Sequence, residues 1–311
     1  MNNNQTIVDD CLEDIDLNQN QNVLKQVNSE EVMEESEEVT VDNWNDLQYY
    51  CSLNDKDYTL KLKENTNYYP TDPTDSVYQI TINNNVRIIG SEGAYFGDNS
   101  VDFRDITYTA IKVNDNSGIG ITLQNVTFKW IGTRYQSDGV FLIMGGNANN
   151  VFENCQFTQI STNIGHSSIL QIKSGFALIK NCTFINCTTD FGCLSVYNPN
   201  DDPTGLCTRA SMEVTDSYFE GNYARTEPGC INNCGILVVN NSTFYRNSAF
   251  WWAGAIHTHG GANTTIYDSD FIDNVAGWNG GALYTYSFLQ IYRSNFIGNN
   301  CTTNNGGGAI G

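Results

Sequence analysis

Seven short segments, LQNVTF, FENCQF, IKNCTF, VTDSYF, VNNSTF, IYDSDF and IYRSNF, each end on a phenylalanine: Phe128, Phe157, Phe184, Phe219, Phe244, Phe271 and Phe296. Successive members lie 29, 27, 35, 25, 27 and 25 residues apart. A second signature follows the later ones, as GCLSVY (192 to 197), GCINN (229 to 233), GAIHTH (254 to 259), GALYTY (281 to 286) and GGAIG (307 to 311). Units of this length, built from short alternating runs between Asn and Gly, hold strands and turns but leave no room for a helix besides. The chain is therefore expected to wind as a solenoid, each unit one coil.

Coils that return to the same place stack each residue on its counterpart ~4.8 Å away, so like residues should form columns. Two before the Phe run Val126, Cys155, Cys182, Ser217, Ser242, Ser269 and Ser294, a column of small residues. Three before it run Asn125, Asn154, Asn181, Asp216, Asn241 and Asp268, with Arg293 as the exception. Three after it stand Asn222, Asn247, Asn274 and Asn299. Asn tolerates left-handed backbone angles and its amide can bond the neighbouring coil, so Asn columns mark repeated turns. Phe219, Asn222, Phe244, Asn247, Phe271, Asn274, Phe296 and Asn299 accordingly read as a structural ladder. Stacked Cys155 and Cys182 suit either a bridge or a packed thiol column, and the serines that replace them in later coils favour the thiols.

Residues 1 to 46 carry thirteen acids against Lys25 alone, with runs such as NQNQN and SEEVMEESEE. That stretch has too little apolar surface to offset its ordering entropy, so residues 1–40 are expected to be an acidic disordered leader, the alternative being a solvated helix around Glu30 to Glu38. Trp44, Leu47, Tyr50 and Cys51 then fall at helical spacing behind Asp42 or Asn43 as N-cap, which predicts a short helix covering the open first coil. With 35 acids, 15 bases and a formal charge of −20, the chain is not suited to phosphate-rich partners, so neither nucleic acid nor an anionic membrane is expected. No apolar run approaches the ~18 residues of a membrane span. Met1 to Asp10 shows neither the basic start nor the apolar run of a secretory signal, and the last coil stops partway, which suggests a piece of a longer chain.

The pairing of FxxN with GGA-hydrophobic, complete at Phe244/Asn247/Gly254/Ala255/Ile256, Phe271/Asn274/Gly281/Ala282/Leu283 and Phe296/Asn299/Gly308/Ala309/Ile310, resembles the polymorphic outer membrane protein repeat. With the Asn/Thr-rich style, the cap helix and VRIIGSEG, residues 41–311 resemble the adhesin-like surface proteins of methanogenic archaea. The resemblance implies a right-handed parallel β-helix of the pectin-lyase-like type, displayed at the cell surface or outside the cell, without enzymatic activity or cofactor. The expected architecture is all-β: nine or ten coils, ~45 Å long at ~4.8 Å each, with one cap helix.

Strand alternation sends Ile256 and Thr258 inward, and His257 and His259 to the outer face. Two histidines without Asp, Glu or Cys nearby in sequence fall short of the three or four ligands zinc prefers, so they read as exposed strand residues and no metal is expected. On the same face Tyr197, His259 and Tyr286 align, beside Ser195, Asn232, His257 and Tyr284. Seven after the repeat Phe, Phe191, Trp251 and Trp278 align around Thr226, with Trp252 next to Trp251. These rings either pack under turns as core or present faces to sugar rings, and Trp251, Trp252, Trp278, Tyr197, His259, Tyr284 and Tyr286 are the candidate binding residues for cell-surface glycans or proteins. The alternative is a polysaccharide lyase or glycoside hydrolase, for which Asp190, Asp201, Asp202 and Arg209 in the longest coil are the best catalytic cluster.

Overall fold

The computed structural model describes residues 36–98, 106–114, 119–133, 139–143, 149–162, 167–196, 210–303 and 306–311. Their strands assemble into four sheets of a right-handed parallel β-helix, three of them running its length and the fourth only its C-terminal coils. Sheet I has ten strands, from Glu37–Val41 to Phe288–Tyr292, and sheet II nine, from Asn67–Tyr68 to Asn295–Ile297. Sheet III has eight, from Ile80–Ile82 to Leu283–Thr285, and sheet IV five, from Thr188–Thr189 to Asn300–Cys301. Eight coils contribute a strand to each of the first three sheets. A ninth reaches sheet III only through a bridge between Ile310 and Leu283, so the stack is shorter than the ten coils allowed by the spacing.

The N-terminal end is closed by two devices. A helix spans Trp44–Ser52, capped by the Asn43 side chain, which accepts from the Asp46 amide, and it buries Trp44, Leu47 and Cys51. The Trp44 indole donates to the Tyr78 carbonyl at 2.7 Å, fixing the helix over the first coil. Ahead of it Glu37–Val41 pairs in parallel with Tyr58–Leu62. Glu37 to Thr40 thus belong to the solenoid rather than to a leader, because the next coil neutralises their charge: Lys56 pairs with Glu37 and Lys61 with Glu38. Residues 1–35 lie outside the described residues.

Inside, Phe96, Phe128, Phe157, Phe184, Phe219, Phe244, Phe271 and Phe296 stack with centroids 4.6 to 5.0 Å apart. Ring planes from Phe128 onward are within 8° of parallel. The separation is the interstrand spacing itself, so parallel stacking follows from the register. Tyr68 continues the column at 5.5 Å from Phe96.

Polar ladders flank the rings. The hydroxyls of Ser217, Ser242, Ser269 and Ser294 each accept the backbone N–H of the counterpart one coil earlier, all at 3.1 Å. Cys155 and Cys182 occupy the same column as free thiols, and burial raises the Cys182 thiol well above its ordinary range. All eight described cysteines are free. The two Asn columns differ. Asn125, Asn154, Asn181, Asp216, Asn241, Asp268 and Arg293 all adopt positive φ, between 44° and 57°, and form a left-handed corner. Asn222, Asn247 and Asn274 are instead fully buried hydrogen-bonding residues. The left-handed corner beyond the Phe sits one residue earlier, at Asn186, Gly221, Arg246, Asp273 and Gly298.

The glycine of the second signature is set by close approach. A Cβ on Gly229 would lie 2.0 Å from the Gly254 carbonyl oxygen, and one on Gly254 2.1 Å from that of Gly281. Stacked backbones leave no space for a side chain there, which is why GA or GC recurs.

Candidate functional site

The site grows from the end of the stack where the turn after sheet IV meets the outer face of sheet III. In sheet III the register pairs Ser195 with Asn232, Asn232 with His257, and His257 with Tyr284. Alternation turns these side chains away from the Phe core, while Leu194, Ile231, Ile256 and Leu283 turn into it. The turn leading into these strands supplies a second wall. Trp251 donates its backbone N–H to Thr226, and Trp278 donates to Trp251, so the three form one column. One residue further, Trp252 bridges to Asn279 on the next coil, and Glu227 holds the equivalent place on the coil before.

The aromatic side chains gather there. Trp251 lies 5.6 Å from Trp252 and 6.2 Å from Trp278, and Trp252 stacks at 18° on Tyr284 with centroids 6.0 Å apart. Tyr284 donates a 2.7 Å hydrogen bond to the Tyr286 hydroxyl. That bond, with partial burial behind it, raises the Tyr286 phenol to about 12, so Tyr286 is uncharged at neutral pH. Phe250, Trp251, Trp278 and Tyr286 are 58, 38, 53 and 61% exposed. Trp251 and Trp278 are surface rings and do not pack under the turns.

His257 is not the exposed strand residue that alternation alone suggests, since it is only 1% exposed. Outward-facing as it is, it is covered by the rings of Trp252, His259, Tyr284 and Tyr286, all within 6.2 Å. His259 bonds Asn232 Oδ1 through Nε2 at 2.7 Å. Burial, reinforced by neighbouring His257, lowers the His259 imidazole to about 3, so it is neutral at physiological pH. A carboxylate that is distant in sequence completes the group. Glu227 Oε2 stands 3.1 Å from His257 Nδ1, and Glu227, His257 and His259 each bring one donor atom within 4.8 Å of the others. No acid lies near the histidines in sequence, but the preceding coil brings one beside them in space.

Comparison with protein-family models, curated proteins and solved structures finds no match to this chain.

The structure brings together Trp251, Trp252, Trp278, His259, Tyr284 and Tyr286 of the candidate binding residues, while Tyr197 lies outside the described residues. Of the catalytic alternative, Asp201, Asp202 and Arg209 also lie outside them. Asp190 is 2% exposed, and its backbone carbonyl accepts from the Thr226 hydroxyl. Sequence reading missed Glu227, Phe250 and the role of Asn232 in orienting His259. The column containing Trp252 and Asn279 would have found Glu227. A separate cleft of about 390 Å³, lined by Thr74, Gln79, Thr107 and Lys112 among others, holds no carboxylate, histidine or thiol among the described residues. Among the described residues, no helix is long and apolar enough to cross a membrane.

Proposed function

We propose that the chain is a β-helical scaffold that binds carbohydrate through the aromatic cluster at its C-terminal coils, displayed at a cell surface as the adhesin-like resemblance implies. The observation that carries this reading is the exposure of Phe250, Trp251, Trp278 and Tyr286 on two adjacent turns of a rigid stack. A solvent-facing tryptophan covers nothing in the core, and a folded chain gains no burial energy from leaving four large rings in water. Flat apolar faces beside hydroxyls and an amide match a pyranose, which offers an apolar C–H face and a rim of hydroxyl groups. Tyr284, Tyr286 and Asn279 supply polar groups of that kind next to the tryptophans. The excess of acids favours neutral over acidic glycans, because like charges repel on approach.

A glycan array probed with the labelled chain tests the reading. Wild type is expected to retain neutral glycans, and the Trp251→Ala/Trp278→Ala double variant to lose at least about tenfold in affinity, roughly 1.4 kcal/mol. Equal binding by both proteins, or no neutral glycan retained by wild type, would contradict it.

A further inference from the structure

We propose that Glu227, His257 and His259 bind a divalent transition-metal ion, zinc being the best fit, on the outer face of sheet III. The inference goes beyond the carbohydrate reading and stands without it. Three residues from two adjacent coils converge here, and each offers one nitrogen or carboxylate oxygen within 4.8 Å of the other two.

The relation between Glu227 and His257 carries the argument. Oε2 and Nδ1 are 3.1 Å apart, the distance of a hydrogen bond, yet the direction is wrong for one, and neither atom has another hydrogen-bonding partner. The Nε2 atom of His257 also has none. Neither ring nitrogen of His257 meets a hydrogen-bonding partner in a place only 1% exposed, so a hydrogen-bonded pair does not account for the contact. Two lone-pair atoms side by side are instead the arrangement of two ligands of one ion. Donors held ~2.0–2.1 Å from a tetrahedral zinc stand about 3.3 Å apart.

The third residue is prepared by its neighbour. Asn232 Oδ1 accepts from the His259 Nε2–H at 2.7 Å, which leaves the lone pair on Nδ1. A second hydrogen bond of this kind is how proteins fix the tautomer and orientation of a ligating imidazole. Asn232 in turn donates toward the Ser195 hydroxyl at 3.4 Å, so the orienting group is itself held by the sheet. Two imidazoles and one carboxylate suit zinc and its first-row neighbours, whereas calcium asks for six to eight oxygens and magnesium for an oxygen octahedron. Three protein ligands leave a fourth position for water or a ligand hydroxyl.

The test uses the full chain stripped with chelator and Co²⁺ as the probe. Wild type is expected to develop the intense visible absorption of four-coordinate Co²⁺, to saturate at one equivalent and to lose the band on adding Zn²⁺. Glu227→Gln and His259→Asn, which keep the side-chain size, should abolish the band while the circular dichroism spectrum stays that of wild type. A featureless wild-type titration, or a band that survives in both variants, overturns the proposal. Should a variant fail to fold, wild type answers alone, since the chain has 3 histidines, His166, His257 and His259. Zn²⁺ should move the ring ¹⁵N resonances of His257 and His259 together and leave those of His166 in place, and unmoved resonances would refute the site.

Discussion

Asn247 Oδ1 accepts both the backbone N–H and the side-chain Nδ2 of Asn222, at 3.0 and 2.9 Å. Its own Nδ2 donates back to the Phe219 carbonyl and forward to Asn274 Oδ1. One buried amide thus serves three coils. Asn247→Ala should destabilise by about 2–4 kcal/mol, because the buried N–H of Asn222 loses its acceptor as the side chain loses its bonds. Asn247→Asp should also be destabilising, since a carboxylate cannot donate to Phe219. Asn299→Ala, on the half-buried last coil, should cost clearly less, and thermal melts of the three variants order these effects.

The phenylalanine stack predicts a gradient of the same kind. Phe244 is sandwiched between rings at 4.7 Å on both sides and is fully buried. Phe244→Ala should therefore cost about 3–5 kcal/mol. Phe296, with one stacking partner among the described residues and partial exposure, should cost about half as much on the same change. Denaturant titrations measure both.

Glu213 carries a prediction about pH. It faces outward from sheet I between Leu178 and Val238 on the adjoining strands. Burial raises its carboxyl above the ordinary 4.5. The folded state therefore binds this proton more readily than the unfolded state does. The favourable contribution is complete below 4.5 and disappears as pH rises through the raised folded value, so ionised Glu213 is a net cost at neutral pH. Glu213→Gln should stabilise by about 0.5 kcal/mol at pH 7, with the difference from wild type closing as the pH falls to 4. A gap that widens on acidification would refute the assignment.

The columns were legible because the repeat writes each of them at a fixed offset from a phenylalanine. Where the offset drifts, legibility fails. Phe96 stands 32 residues before Phe128, in AYFG, which shares nothing with the later segments, although its ring joins the same stack. Glu37 to Thr40 read as part of a leader because their acids have no base beside them in the local chain, whereas Lys56 and Lys61 answer them from the next coil. Glu227 was hidden for the same reason. It precedes His257 by thirty residues and stands next to it only because one coil intervenes. Burial of His257 was equally out of reach, since strand alternation gives the direction of a side chain and not what covers it.

The carbohydrate-binding face is tested most directly by the indole Nε1–H resonances of the chain during titration with a neutral oligosaccharide. Trp251, Trp252 and Trp278 should shift saturably and together, while Trp44, whose indole is tied to Tyr78 beneath the cap helix, stays fixed. No shift at the three clustered tryptophans with any neutral oligosaccharide, in protein whose Trp44 resonance shows it folded, would contradict the assignment of that face.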